Sequence, residues 1–129
     1  MTGGNGNDGI DTGESAFVSG QFDEYAQLLR VLAHPVRLRI LEMLLRRSRC
    51  VKHLNSLLPI SQPHLSQHIA ALRQAQLIDC HSNGTLRCYY LLKPLLVEVL
   101  LRALMTEHPA VYRDHDEVVD EVAADDGVE

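Results

Sequence analysis

The stretch from residue 51 to residue 72 constrains the fold most, because a proline and a serine divide it into two short helices with almost nothing between them. Apolar spacing predicts a helix over residues 51–58, and Pro59 ends it because the residue before a proline is disfavoured in the helical conformation. Ser61 is a good N-cap for the next helix, which tolerates Pro63 in its first turn. Two helices joined by so short a turn are typical of a helix-turn-helix.

The elements on either side of this helix pair complete the pattern. Apolar residues at helical spacing predict three further helices. These helices cover residues 21–33, 35–47 and 94–105. Two strand-like segments, 77–82 and 85–91, flank Asn83-Gly84, which is the strongest two-residue turn signal for a hairpin. The sequence therefore predicts a mainly α protein of about five helices with a small β-hairpin wing, which is a winged helix-turn-helix.

The positive and negative residues occupy different parts of the chain, which the net charge does not show. The formal net charge is −5, which by itself argues against nucleic acid as a partner. All 12 Lys and Arg residues lie between Arg30 and Arg113, where only four acids occur, so this body carries +8. A basic body with acidic ends is typical of a polyanion binder. We interpret 1–20 as a disordered, acidic, Gly-rich tail, 21–108 as the DNA-binding and dimerisation domain, and 109–129 as an acidic C-terminal tail that frays.

The fourth helix presents a face of hydrogen-bonding, mostly uncharged side chains, whereas charged residues normally dominate a solvated face. The major groove of DNA admits an α-helix, and a glutamine there can pair bidentately with adenine. Arg73 lies about three turns along and suits the phosphate backbone, as do the basic second helix and the tip of the wing. The candidate DNA-binding residues are Ser61, Gln62, His64, Ser66, Gln67, Arg73, Asn83, Thr85 and Arg87.

The fifth helix is apolar over more of its surface than one buried stripe requires. In so small a domain we expect the second apolar face to meet another chain, and therefore a homodimer through the first and last helices. No stretch is long and apolar enough to span a bilayer, and we see no targeting segment. We therefore expect a cytoplasmic protein with reduced thiols and no membrane partner.

Three motifs stand out in a fixed order: LAHPVRLRILEMLL, ISQPHLSQHIAALRQAQLI and NGTLRCYYLL. Together they resemble the ArsR/SmtB family of bacterial metal- and stress-responsive repressors, over about residues 22–105. The resemblance is most specific in an SQPxxSxH pattern from Ser61 to His68. It implies a homodimeric winged helix that represses a promoter and releases it when an inducer binds, with His68 packed against another helix or facing a phosphate. The base-reading positions that it implies are Gln62, His64, Ser66 and Gln67.

The positions at which such repressors bind their inducers differ in this chain. Members that resemble the arsenic sensors carry a CxC-type motif at the start of the third helix, where this chain has Cys50 and, at the second thiol position, Lys52. Zinc-sensing relatives carry Asp and His ligands on the fifth helix, where this chain has apolar side chains. The resemblance therefore predicts DNA binding and leaves the inducer open.

The second candidate site is formed by Cys50, Cys80 and Cys88. In a winged helix the short strand before the third helix pairs with the second wing strand, so all three thiols would share one sheet. A two-residue Asn83-Gly84 loop would turn Cys80 and Cys88 to opposite faces, whereas a three-residue loop would pair them directly. Cys50 and Cys88 could share a face in either case.

Three interpretations of these cysteines stay open at this point. Thiolates favour thiophilic ions, and trivalent arsenic takes three ligands, so all three cysteines are candidate metal ligands. Redox sensing needs only two thiols. Cysteine is also often a small buried hydrophobe. No cofactor is required under any of these interpretations, and As(III) or another thiophilic metal ion would act as an inducer.

We expect a DNA-binding repressor that arsenite or another thiophilic metal ion releases from double-stranded operator DNA. One alternative keeps the same DNA-binding head but senses redox state, reactive sulfur or a metabolite. Another is a winged-helix protein-interaction module, which the acidic tails and the negative total charge motivate. An enzyme is not expected, because the chain has no phosphate-binding glycine loop, no HExxH and no GxSxG.

Overall fold

The chain folds in the order that its sequence predicts, with one additional helix near the C-terminus. The computed structural model describes residues 20–128. Within that range the elements, in chain order, are α1 (Gly20–Leu32), α2 (Pro35–Arg46), β1 (Arg49–Cys50), α3 (Val51–Leu57), α4 (Gln62–Gln74), β2 (Ile78–Asn83), β3 (Leu86–Leu91), α5 (Pro94–Met105) and α6 (His115–Val128). The winged helix-turn-helix prediction is confirmed, and the helix boundaries differ from the predicted ones by a residue or two. The predicted Gly-rich tail lies outside the described residues, apart from Gly20.

Side-chain N-caps determine where α2 and α4 begin. Ser61 has extended backbone angles, and its Oγ accepts a hydrogen bond from the backbone N–H of His64 at 3.4 Å, as its predicted N-cap role requires. His34 has the same role at α2, where its Nδ1 accepts from the backbone N–H of Val36 at 3.1 Å. Each helix also has a proline in its first turn, which loses no hydrogen bond there.

The hydrophobic core lies beneath α4 and anchors it. Its fully buried side chains are Ile40, Leu41, Leu54, Leu65, Leu72, Leu77, Ile78 and Val97. The α4 helix contributes Leu65, Ile69 and Leu72, which recur at helical spacing on one face. Burying each such side chain stabilises the fold by about 1.5–3 kcal/mol. Burial of this face leaves the opposite face of α4 exposed.

The three strands form one antiparallel sheet in the order β1-β3-β2, so the second wing strand is central, as predicted. Asn83 pairs with Leu86, and the loop residues of the hairpin are therefore Gly84 and Thr85. The prediction that Asn83-Gly84 forms the loop is wrong by one residue. Gly84 has a φ of +63° at the first loop position, where a type II′ turn takes glycine, so its conformation suits the observed loop.

The C-terminal segment is helical where the sequence led us to expect fraying. The backbone N–H of Asp116 donates to the Asp114 carboxylate at 2.8 Å, which caps the start of α6. Arg113 and Glu121 form an ion pair at 2.6 Å along the same segment. Every α6 side chain from His115 to Asp125 is exposed.

Among residues 20–128, no helix combines the length and the apolar character needed to cross a membrane.

Candidate DNA-binding interface

The exposed face of α4 carries the predicted base-reading residues. Gln62, His64, Ser66 and Gln67 are all exposed and fall in the first half of the helix. Within residues 20–128, the side chains of Gln62, Ser66 and Gln67 have no hydrogen-bond partner. Their amide and hydroxyl groups are therefore available to base edges or phosphates, and they are held in place by a helix whose other face is buried.

A cluster of three side chains ties α4 to the junction between α1 and α2. Arg37 donates from Nε to Nδ1 of His68 at 3.1 Å and from Nη1 to the backbone carbonyl of Val31 at 3.0 Å. The rings of His34 and His68 lie 4.3 Å apart between centroids, with a tilt of 52°. We call His34, Arg37 and His68 the histidine cluster. Its geometry shows His68 in the helix-packing role, one of the two that the resemblance implied.

The surroundings of His68 favour its neutral form. Partial burial, followed by the repulsion that a protonated His68 would meet from the charged forms of His34, Arg37 and His64, lowers the pKa of His68 below its ordinary value. The lowered pKa agrees with the hydrogen bond from Arg37, because only an unprotonated Nδ1 can accept it.

Sequence reasoning missed His34 and Arg37 as parts of this site. The signal for His34 was its place just before Pro35, which is the N-cap position of α2. No local signal joins Arg37 to His68, since 31 residues separate them along the chain.

Several basic residues that the sequence offered for phosphate contacts have partners inside the molecule. Arg37 belongs to the histidine cluster, and Arg46 is paired with Glu42 at 2.5 Å on the same helix. Arg73 meets Asp79 at 3.3 Å, and both side chains are more than two-fifths exposed. Such an exposed pair contributes little to stability, so Arg73 can exchange Asp79 for a phosphate at little cost. Arg39 is exposed on α2 with no partner within residues 20–128.

The wing, formed by β2 and β3, exposes the remaining DNA-binding candidates. Asn83 and Thr85 are exposed at the hairpin tip. Arg87 donates a long hydrogen bond to Sγ of Cys80 at 3.7 Å, and this bond raises the pKa of the Arg87 guanidinium. Because Arg87 remains exposed and charged, it also remains accessible to a phosphate.

The sheet brings two of the three cysteines together. Cys50 lies directly opposite Cys88, so the two share a face, as the sequence allowed. Such cross-strand pairs have Cα atoms about 4.5–5.5 Å apart. On the other side of the central strand, Cys88 is opposite His81. All three cysteines are free and partly exposed.

The third cysteine lies on the other face of the sheet. Cys80 pairs with Tyr89, whose ring is buried, and Cys80 itself packs against the core. Neither predicted register is the observed one, although the opposite orientation of Cys80 and Cys88 matches the two-residue alternative. Between residues 20 and 128, no three His, Cys, Asp or Glu side chains converge on a possible metal position. The predicted set of Cys50, Cys80 and Cys88 therefore does not come together in this chain.

Apolar side chains remain exposed on the first and fifth helices. Those that are more than half exposed are Phe22, Leu29, Leu95, Val99, Leu104 and Met105. The buried side of α5 is provided by Val97 and Leu101. An exposed apolar surface of this kind is typical of a protein–protein interface.

Comparison with known proteins points to bacterial regulators. The family model described as bacterial regulatory protein, arsR family, matches residues 34–79. An uncharacterized HTH-type transcriptional regulator of Mycobacterium tuberculosis, Rv0081, is 32% identical over 96 residues, which are 69% of this chain and 84% of the relative. The crystal structure of Rv0081 has a TM-score of 0.61 at 28% identity and covers 84% of this chain and 97% of its own.

Two further matches extend this similarity. The structure of HlyU from Vibrio cholerae has a TM-score of 0.63 at 32% identity, covering 69% of this chain and 100% of its own. The biofilm growth-associated repressor of Xylella fastidiosa is 33% identical over 84 residues, which are 65% of this chain and 73% of the relative. The residues that the family model matches include the whole helix-turn-helix and end at the second residue of β2.

Replacing Arg37 by alanine tests the histidine cluster as a structural bridge. The change removes the hydrogen bonds to His68 and Val31, so we expect the free energy of unfolding to fall by about 1–3 kcal/mol. Arg39→Ala is the matched control, because Arg39 is exposed on the same helix, and its effect should stay within about 0.5 kcal/mol. Urea unfolding followed by circular dichroism measures both. Equal effects of the two substitutions would contradict the bridge.

Proposed function

Since the chain belongs to the ArsR family of bacterial regulatory proteins, we propose that it acts as a homodimeric repressor that a thiol-reactive inducer releases from its operator. Members of the ArsR/SmtB family are transcriptional regulators and not enzymes, and this chain is a DNA-binding transcriptional repressor of that type. The dimer and the inducer are the parts that we add.

The exposed polar face of α4 is the observation that carries the DNA-binding role. In helix-turn-helix proteins the first residues of the second helix contact base edges in the major groove. Gln62, His64, Ser66 and Gln67 occupy that position here and are exposed. Asn83, Thr85 and Arg87 of the wing would contact a neighbouring groove or phosphates, and the phosphate contacts would add affinity without sequence selection.

The exposed apolar residues of α1 and α5 support a homodimer. A two-fold dimer would bury them against the same residues of a second copy and would present two α4 helices. Dimeric helix-turn-helix proteins read two half-sites about one helical turn of DNA apart. We therefore expect the operator to be an inverted repeat.

Cys50 and Cys88 are the proposed site of the inducer. Cys50 is the N-cap residue of α3, the first helix of the helix-turn-helix, and Cys88 lies in the wing. Arsenite would form two S–As bonds while two As–O bonds break, and the two thiol protons would leave with the released hydroxides as water. Arsenic would keep one hydroxide as its third ligand. The bridge would strain the start of α3 and so shift α4.

The same pair also supports redox sensing as a second candidate function. Directly opposite residues on antiparallel strands have Cα separations within the range of disulfides. A two-electron oxidant such as hydrogen peroxide would remove both thiol hydrogens and form one S–S bond, while the peroxide is reduced to two water molecules. Cys80 is excluded from either reaction with Cys88, because it lies on the other face of the sheet.

Alanine substitutions on α4 test the base-reading role. A bidentate contact discriminates against a wrong base by about 1–3 kcal/mol, so Gln62→Ala and Gln67→Ala should each reduce the preference for operator over scrambled DNA by about fivefold or more. Fluorescence anisotropy with duplex DNA from upstream of the coding sequence measures this preference. Gln74→Ala, at the far end of the same helix, should leave it unchanged. Unaltered preference in both Gln62 and Gln67 variants would contradict the role.

Serine substitutions of the cysteines test the inducer site. Stoichiometric arsenite should release the reduced wild-type protein from its operator, and Cys50→Ser and Cys88→Ser should each abolish that release. Cys80→Ser is the matched control and should respond like the wild type. Release by hydrogen peroxide with a Cys50–Cys88 disulfide in the mass spectrum, and none by arsenite, would favour the redox function. A response that survives in the Cys50→Ser, Cys88→Ser double variant would overturn both.

A further inference from the structure

We propose that the histidine cluster is an acid-sensitive latch on α4, so that protonation of His34 and His68 releases the operator. The proposal rests on the DNA-binding role of α4 and adds the proton as a second ligand of the repressor. It is carried by the hydrogen bonds of the cluster, which determine the protonation state of both rings.

The two donors of the cluster allow only one form of each imidazole. The backbone N–H of Val36 donates to Nδ1 of His34, and Nε of Arg37 donates to Nδ1 of His68. Neither an amide nitrogen nor a guanidinium can accept a hydrogen bond. These two hydrogen bonds therefore require a lone pair on each Nδ1, which only the neutral ring with its proton on Nε2 provides.

Protonation of either ring breaks the cluster. A proton on Nδ1 of His68 would face the Nε–H of Arg37, so a hydrogen bond would become a contact between two cations. A proton on Nδ1 of His34 would leave the first turn of α2 without its cap. Because the ring centroids are only 4.3 Å apart, two protonated rings would also repel each other.

The surrounding groups reinforce this effect. His34 and Arg37 face His68 from the start of α2, and His64 faces it from the preceding turn of α4. The end of α1 contributes the carbonyl of Val31, which holds Arg37 in place. The carboxylate that β2 offers to α4, Asp79, is paired with Arg73 further along the helix. No carboxylate within residues 20–128 is hydrogen-bonded to the cluster to compensate a proton.

The direction of the pH effect follows from the lowered pKa of His68. The unfolded or unlatched chain has the ordinary histidine pKa of about 6.5 and binds the proton first as the pH falls. The intact cluster therefore makes its full contribution to stability above the ordinary histidine pKa. That contribution is lost as the pH falls below the ordinary pKa toward the lowered pKa of His68. His68 directly follows Ser66 and Gln67, so loosening it loosens the half of α4 that would contact bases.

Asparagine substitutions of His34 and His68 test the latch. At each position the asparagine Oδ1 can accept the hydrogen bond that the histidine Nδ1 accepts, and the asparagine side chain does not titrate. Because the lowered pKa of His68 makes acid favour the broken cluster, wild-type affinity for the operator should fall several-fold between about pH 7.5 and about pH 5.5. The His34→Asn, His68→Asn double variant should bind like the wild type at the higher pH and change less than about twofold at the lower. His115→Asn, in α6, is the matched control and should keep the wild-type pH dependence.

Two results would overturn the latch. One is the same pH dependence in the wild type and in the double variant. The other is an NMR spectrum of the ring nitrogens, recorded at about pH 7.5, that shows Nδ1 of His34 or His68 protonated. Absence of operator binding by the wild type at about pH 7.5 would instead contradict the proposed function. The latch would then be judged by thermal unfolding, whose midpoint should fall with pH more in the wild type than in the double variant.

Discussion

Burial of one face of α4 is the constraint on which the rest of the molecule depends. Leu65, Ile69 and Leu72 lie in the core, and their spacing turns the other side of the helix outward. The Ser61 cap sets where the helix begins, which places Gln62 and Gln67 near its N-terminus. A helix held in this way loses little conformational entropy when it enters a DNA groove, because its side chains are already presented on a rigid element.

Polar side chains supplement the apolar packing of α4. The histidine cluster joins α4 to the α1–α2 junction through hydrogen bonds that require neutral rings. The cysteine pair lies where the start of α3 meets the wing. The histidine cluster and the cysteine pair thus each lie where a helix of the helix-turn-helix meets another element. Under the two proposals made above, thiol chemistry would act at one of these places and protonation at the other.

The sequence predicted what local signals determine. Ser61 and Pro35 mark helix starts, and the apolar spacing marks the buried faces, so the fold and the exposed residues of α4 could be foreseen. The strand register could not, because Asn83-Gly84 is a complete turn signal in the sequence, whereas the observed loop begins one residue later, with Gly84 at a positive φ. The acidic composition of the C-terminal segment indicated fraying, and it gave no sign that Asp114 would cap a helix there.

Sequence patterns did not predict which residues far apart along the chain contact each other. The distribution of Lys and Arg indicated a basic body, but it could not show that Arg37 and Arg46 have partners within the chain. The meeting of His34 with His68 depends on how α2 packs against α4. The pairing of β1 with β3 was expected from the winged-helix architecture, which allowed Cys50 and Cys88 to share a face, whereas their direct opposition and the separation of Cys80 from them followed only from the register.

The salt dependence of DNA binding tests the central claim most directly, which is that α4 and the wing form a DNA-binding surface. Anisotropy would compare duplex DNA from upstream of the coding sequence with a scrambled duplex over a series of salt concentrations. With about six phosphate contacts in the dimer, the logarithm of the binding constant should fall against the logarithm of salt concentration with a slope of about −5, and the upstream duplex should bind more tightly throughout. A slope near zero with equal affinity for both duplexes would contradict the account and favour a protein-interaction module.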